Sequence, residues 1–260
     1  MYKIDKFMAL LEEYAPLKIS LKAIEKGDYD NSGLIVKNSE NVSKILFSLD
    51  LSLDAVKRAE EMGADTIVTH HPAIYNPIKR LAVDGENAAL LSAIKKGMNV
   101  ISMHLNLDMA DDGIDQCLAQ ALGAKKCNIL SDLDGKYGYG REFLVGKDLR
   151  GFETDVKETL KSEKILTYGE GAISKAASFC GGGSDYAFKA VANGDTDADI
   201  IISSDMPHHV LSYFIEKNKK VMIIPHYVAE QYGFNKFFTW VKEQVKDNLQ
   251  VEYFEDKRFM

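Results

Sequence analysis

The sequence predicts an α/β protein made of two α/β repeats, each a helix and strand followed by three strand–helix units on a mostly parallel mixed sheet. Three observations carry this. Short β-branched runs alternate with segments whose apolar residues recur at helical spacing. The second half of the chain repeats the grammar of the first. All six histidines, His70, His71, His104, His208, His209 and His226, fall at or just beyond the end of a predicted strand. Strands alternating with helices imply parallel sheets, and such sheets gather ligands beyond the carboxyl ends of their strands.

In chain order, Ile4, Phe7, Met8, Leu10 and Leu11 mark a helix over 4–14. A turn-rich loop over 27–33 leads to a short strand, 33–37, and KILFSLD (44–50) reads as a more buried one. Ser52 is placed to cap a helix over 53–62 that stops near Gly63. Strand 65–69 then runs into His70 and His71, where Pro72 ends it. Successive strand side chains point to opposite faces, so the two imidazoles start out apart, and a bend at the strand end lets them serve neighbouring positions. A helix over 85–96 ends at Gly97, strand 98–103 follows, then His104-Leu105-Asn106-Leu107-Asp108 and a helix over about 113–122.

The second repeat opens with an extra strand at 143–147, a helix over 152–162 and a strand at 165–168. Strand 176–180 runs into Gly181-Gly182-Gly183-Ser184. A helix over about 185–192 leads to strand 199–203, then Ser204-Asp205 and His208-His209. A helix to about 217, strand 220–224, Pro225-His226-Tyr227-Val228-Ala229-Glu230 and a last helix with the only tryptophan, Trp240, complete it. In each half the second strand of the trio leads to a double histidine and the third to His-x-x-x-carboxylate, which argues for internal duplication. The repeats are expected over 1–127 and 128–260.

At 260 residues, 46% apolar and 27% charged, the chain has the composition of a soluble globular protein with ample core. A net charge of −7 gives no general attraction to nucleic acid or to anionic membrane. Cys117, Cys127 and Cys180 form no CxxC pair and fit a reducing cytosol as small buried hydrophobes. The N-terminal stretch lacks a signal-peptide pattern and no run approaches a membrane span. A cytoplasmic location is expected.

Imidazole with carboxylate is the ligand set of zinc, iron, manganese or nickel. His104…Asp108 and His226…Glu230 each place two such groups on one face wherever the segment is helical, and otherwise read as local hydrogen bonds or caps. Four imidazoles and two carboxylates exceed the protein ligands of a single catalytic zinc, so two metals fit better. Asp205, His208 and His209 read either as lining the site or as a helix start behind Pro207. Gly181–Gly183 lacks the Lys-Ser/Thr of a P-loop and reads as a tight strand-to-helix turn. Gly138-Tyr139-Gly140-Arg141 reads as a turn that offers Arg141 to an anion.

The succession DNSGL (30–34), SLD (48–50), GADTIVTHHPAIYNPIKRL (63–81), HLNLD (104–108), GYGR (138–141), CGGGS (180–184), SSDMPHH (203–209) and PHYVAE (225–230) resembles the GTP cyclohydrolase type 2 homologue, or Nif-three-like, family. The likeness spans nearly the whole chain at the length of the family's short form. It implies two intertwined α/β repeats, assembled as a toroidal homohexamer with inward-facing metal sites. It maps two divalent metal ions per subunit (zinc, iron or manganese) onto His70, His71, Asp108, His226 and Glu230, with Glu230 as the bridge. His104 matches a histidine that is less consistently a ligand, and is assigned to proton transfer or substrate contact. Departures are small: HLNLD where HTNLD is usual, and no glycine before His226.

The expected activity is that of a binuclear metal-dependent hydrolase, with ring opening of GTP implied by the resemblance alone. The alternative is a non-catalytic metal-binding ring that delivers metal or docks partners. A ring threading single-stranded nucleic acid needs a basic, aromatic-lined channel, which the charge disfavours.

Overall fold

The computed structural model describes residues 2–260, which form two compact units. The first comprises residues 2–107 with Phe234–Lys257, and the second Asp108–Gly233 with Arg258–Met260.

The first unit is built on a five-stranded sheet in the order Gln250–Phe254, Lys44–Ser48, Thr66–Thr69, Asn99–Ser102, Gly33–Val36. The first four strands run parallel and Gly33–Val36 is antiparallel at the edge. Ile45, Leu46, Ile67, Val68, Val100 and Ile101 are buried, as expected where helices cover a parallel sheet. Helix Leu53–Met62 begins as predicted: the Ser52 hydroxyl accepts from Ala55 N at 3.1 Å, and Gly63 ends it at φ +67°. Ala55, Val56 and Ala59 form its buried face, packed with Leu46, Ile67, Ala93 and Val100. Elsewhere Phe47, Phe234 and Phe237 meet ring to ring.

The second unit carries a six-stranded sheet ordered Asn128–Asp132, Gly138–Asp148, Ala172–Ser178, Ile200–Ser203, Lys220–Ile223, Leu166–Tyr168. Its centre is a parallel trio, Ala172–Ser178, Ile200–Ser203 and Lys220–Ile223, flanked by antiparallel strands on both sides and matching the trio Lys44–Ser48, Thr66–Thr69 and Asn99–Ser102 of the first sheet. The two trios match in hydrogen-bonding detail. Asp65 Oδ2 accepts from Ser43 N at 2.8 Å and Lys44 N at 3.4 Å. Asp199 Oδ2 accepts from Ser174 N at 2.7 Å and Lys175 N at 3.0 Å. Each aspartate immediately precedes the middle strand of its trio, and its backbone bonds the strands on both sides. Duplication therefore extends to a capping carboxylate that the periodicity did not reveal.

Several elements differ from expectation. The strand expected at 143–147 runs over Gly138–Asp148, because it pairs antiparallel on both edges. A second N-terminal helix, Leu17–Glu25, follows Pro16. Strand Gln250–Phe254 closes the first sheet beside Lys44–Ser48. The final helix starts at His226 itself and runs to Val245, so Glu230 lies one turn into it. No helix among the described residues is long and apolar enough to cross a membrane.

Candidate metal centre

In the first unit three imidazoles converge beyond the carboxyl ends of the parallel strands. After Thr69 the chain bends, because His70 N and His71 N both donate to Leu49 O, at 3.1 and 3.0 Å. Two consecutive amides aimed at one carbonyl cannot continue an extended strand, and this brings the adjacent side chains to one region. Thr69 Oγ1 holds the bend from inside, bonded to His71 O at 2.7 Å and to Ser102 Oγ at 3.0 Å. The ring centroids of His70 and His71 lie 4.9 Å apart, with His104 at 5.2 Å from the first and 6.0 Å from the second.

Each of these rings is fixed through Nδ1. His70 Nδ1 lies 2.8 Å from Met103 O; a carbonyl only accepts, so this nitrogen carries the proton and Nε2 holds the lone pair. His71 Nδ1 donates to Asp50 Oδ1 at 2.7 Å, and His104 Nδ1 to Asp30 Oδ1 at 2.7 Å. Asp30 is buried and also accepts from the hydroxyls of Ser20 and Ser32. Burial pushes its carboxyl up, but the bonds to His104 and the two serines outweigh that and leave it below the usual carboxylate range. Asp30 and Asp50 had no assigned role in the sequence reading. Their signal lay in the DNSGL and SLD motifs, where a carboxylate abuts a strand end.

In the second unit, His226 and Glu230 share a helix face, with Nε2 and Oε1 at 3.0 Å. His226 Nδ1 is 2.6 Å from Asp205 Oδ2, so Asp205 is a partner of a site histidine. His208 and His209 are exposed and open the helix His208–Glu216, the helix-start reading rather than the site-lining one. Asp108, Cys180 and Glu230, all buried, offer ligand atoms within 4.8 Å of one another. Cys180 Sγ lies 3.5 Å from Asp108 Oδ1. Cys180 is thus no plain buried hydrophobe, which composition had suggested.

Behind this cluster, Asp115 Oδ1 accepts from Cys180 N at 3.1 Å, and its Oδ2 lies 3.1 Å from Arg141 Nη1. Arg141 is 1% exposed and also donates to Gly138 O, Gly140 O and Gln116 Oε1. The anion Arg141 meets is therefore Asp115 of its own unit. Burial raises the Asp115 carboxyl above its ordinary range against the pull of that guanidinium. Gly181 adopts φ +51° over the helix face, where a Cβ would fall 3.1 Å from His226 Nε2 and inside the envelope of the Glu230 carboxylate. The glycine turn into helix Ser184–Asn193 is as predicted, and its first residue gives the carboxylate its room.

The donor chemistry fits divalent metal. All four histidines in these clusters bond an oxygen through Nδ1, the arrangement that orients metal-ligating imidazoles; in His70, His71 and His104 this makes Nε2 the basic nitrogen, whereas His226 Nε2 faces Glu230 Oε1 at 3.0 Å. Buried carboxylates and a thiol held together are costly unless a cation joins them.

Residues 2–258 match the Duf34/NIF3 (NGG1p interacting factor 3) family. The chain is 30% identical over 256 residues to a GTP cyclohydrolase 1 type 2 homolog of Clostridium perfringens, covering 95% of this chain and 94% of that one. A protein of the same name from Clostridium acetobutylicum is 29% identical over 237 residues, covering 88% and 85%. Among solved structures, a hypothetical protein of Staphylococcus aureus is similar at TM-score 0.84 and 24% identity, covering 98% of this chain and 96% of that one. A Bacillus cereus protein related to NIF3 is similar at TM-score 0.84 and 18% identity, covering 98% and 97%.

Proposed function

The chain belongs to the Duf34/NIF3 family, and from that premise we propose that it is a hydrolase dependent on two divalent metal ions, with GTP or a related nucleotide as the first substrate to test. The observation that carries the reading is the Nδ1 anchoring of His70, His71, His104 and His226, which directs the Nε2 atoms of the first three to ligation or proton transfer and sets His226 Nε2 beside Glu230 Oε1, two ligand-type atoms 3.0 Å apart. His70, His71, Asp108, His226 and Glu230 would hold the ions, as the family likeness implies. Divalent ions held by these residues would supply Lewis acidity, lowering the pKa of a water toward neutrality and polarising the centre under attack.

The chain's own groups do the remaining work. Asp30 holds the His104 Nδ1 proton and thereby the basic Nε2, so His104 can take a proton from the attacking water or return one to the leaving atom. Asp50 and Asp205 orient His71 and His226 in the same way and raise their basicity as ligands. GTP as substrate rests on the name of the relatives. The reading takes the working form as a cytoplasmic homohexamer, which rests on resemblance and is checked by sedimentation.

The test is turnover of GTP and a panel of nucleotides and phosphoesters by protein loaded with zinc, iron or manganese, beside Glu230→Ala and His104→Ala. Turnover lost in both variants, with metal retained in His104→Ala, is the expected result. Wild-type protein that binds about two ions per chain yet turns over nothing would overturn the hydrolase and leave the metal-delivery or partner-docking ring. Wild-type protein that binds no metal would overturn both.

A further inference from the structure

We propose that Cys180 is a sulfur ligand to the metal held by Asp108 and Glu230, and that the site therefore selects a thiophilic d-block cation such as zinc, iron or cobalt over manganese or magnesium. The inference rests on the metal-binding reading above and adds a donor that neither the family likeness nor the histidine pattern supplies.

Cys180 stands two residues beyond the strand Ala172–Ser178, at the entry to the glycine turn. Its backbone is held at both ends. The amide donates to Asp115 Oδ1 at 3.1 Å, and the carbonyl accepts from the Tyr139 hydroxyl. Asp115 is in turn fixed by Arg141. The thiol lies 3.5 Å from Asp108 Oδ1 and 3.4 Å from the Tyr139 hydroxyl, with a Glu230 carboxylate oxygen within 4.8 Å. All three residues are buried, so the side chains gain nothing from water.

The distance fits ligation. A tetrahedral ion with metal–sulfur and metal–oxygen bonds of about 2.3 and 2.0 Å sets its sulfur and oxygen about 3.5 Å apart. Cys180 Sγ and Asp108 Oδ1 are separated by 3.5 Å, and the Glu230 ligand atom lies within 4.8 Å of both. Ligation exchanges the S–H bond for a sulfur–metal bond and releases one proton to solvent. Thiolate is a soft donor, which weights the site toward zinc, iron or cobalt; carboxylate, carbonyl and water donors alone suit manganese and magnesium.

Cobalt(II) added to the chelator-treated full-length chain reads this directly. Wild type is expected to show visible d–d absorption together with a near-ultraviolet sulfur-to-cobalt charge-transfer band. Cys180→Ser should keep the d–d absorption and lose the band, and its preference for zinc over manganese should fall about tenfold or more. Cys117→Ser and Cys127→Ser should keep both. Wild type with d–d absorption but no charge-transfer band would overturn the proposal, as would a band that survives in Cys180→Ser. Absence of any cobalt absorption in wild type would instead remove the metal reading on which the proposal stands.

Discussion

Gly181→Ala perturbs the carboxylate half of the centre without altering a proposed ligand. The added methyl meets two costs. At φ +51° an L side chain sits in the left-handed region, for roughly 1 kcal/mol. The Cβ would also stand closer than 3.0 Å to Glu230 Oε1, and 3.1 Å from both Glu230 Cδ and His226 Nε2. Restoring ordinary contact distance requires the carboxylate to move by about 1 Å. Glu230 is only 3% exposed, so that movement cannot be taken up by swinging into water. It must disturb the 3.0 Å approach of Glu230 to His226 or the closeness of Glu230 to Asp108 and Cys180. Displacing a ligand on this scale should weaken metal binding by about 10- to 100-fold. The metal-free fold should lose about 1–3 kcal/mol. Cobalt titration reads the first quantity, and urea unfolding in chelator reads the second. Gly182→Ala is the internal control, since a Cβ there meets nothing within 4 Å. Equal cobalt affinity and equal unfolding midpoints for the two variants would refute the account of Gly181 as the cradle of Glu230.

Asp30→Asn removes the negative charge and turns one of two accepting oxygens into a donor, so the side chain can no longer accept from His104 Nδ1 and from the Ser20 and Ser32 hydroxyls together; turnover should fall about 100-fold or more with the bound-metal count unchanged, read by steady-state rates beside elemental analysis. Arg141→Met strands the Asp115 carboxylate in a site where burial already raises it, and should cost about 3–5 kcal/mol in urea unfolding. Adding Asp115→Asn should recover much of that loss; a double variant no better than the single would argue against the pair as the cause. Asp199 is held below its ordinary range: burial raises it, but the amides of Lys175 and Ser174 and the nearby Lys220 and Lys219 outweigh burial. A depressed carboxylate contributes stability above its unfolded pKa, near 3.9, and loses it as pH falls through its folded value. Asp199→Asn should therefore cost about 1 kcal/mol at neutral pH, with the gap closing as the pH drops below about 4; a gap constant with pH would count against the assignment.

Much of this molecule is legible in the chain because the relevant physics is local. The 3.6-residue period of Ile4, Phe7 and Leu11 needs only its own face to be buried, and the helix forms over Ile4–Tyr14 as predicted. Ser52 and Gly63 bound their helix through bonds to residues within four positions. His226 and Glu230 meet because a helix places i and i+4 on one face. The alternation of strands with helices was enough to indicate parallel trios, and the repeated order of motifs to indicate duplication.

Tertiary structure alone decided which groups serve those histidines. The carboxylates that orient His71, His104 and His226 lie 21, 74 and 21 positions away in sequence, and the carbonyl that orients His70 lies 33 away. No period or motif spacing reports such partners, since they are brought together only when strand ends align in a sheet. The same holds for Gln250–Phe254, whose pairing with Lys44–Ser48 spans most of the chain. It holds as well for Cys180, whose residue type suggests a small hydrophobe and whose thiol meets the Asp108 carboxylate and the Tyr139 hydroxyl. His208 and His209 give the converse case: their sequence echo of His70 and His71 is real, but the strand ends at Ser203 and the exposed pair opens the next helix. Residue type and spacing selected the candidate ligands; long-range pairing of strand ends selected which of them are oriented, buried and brought together.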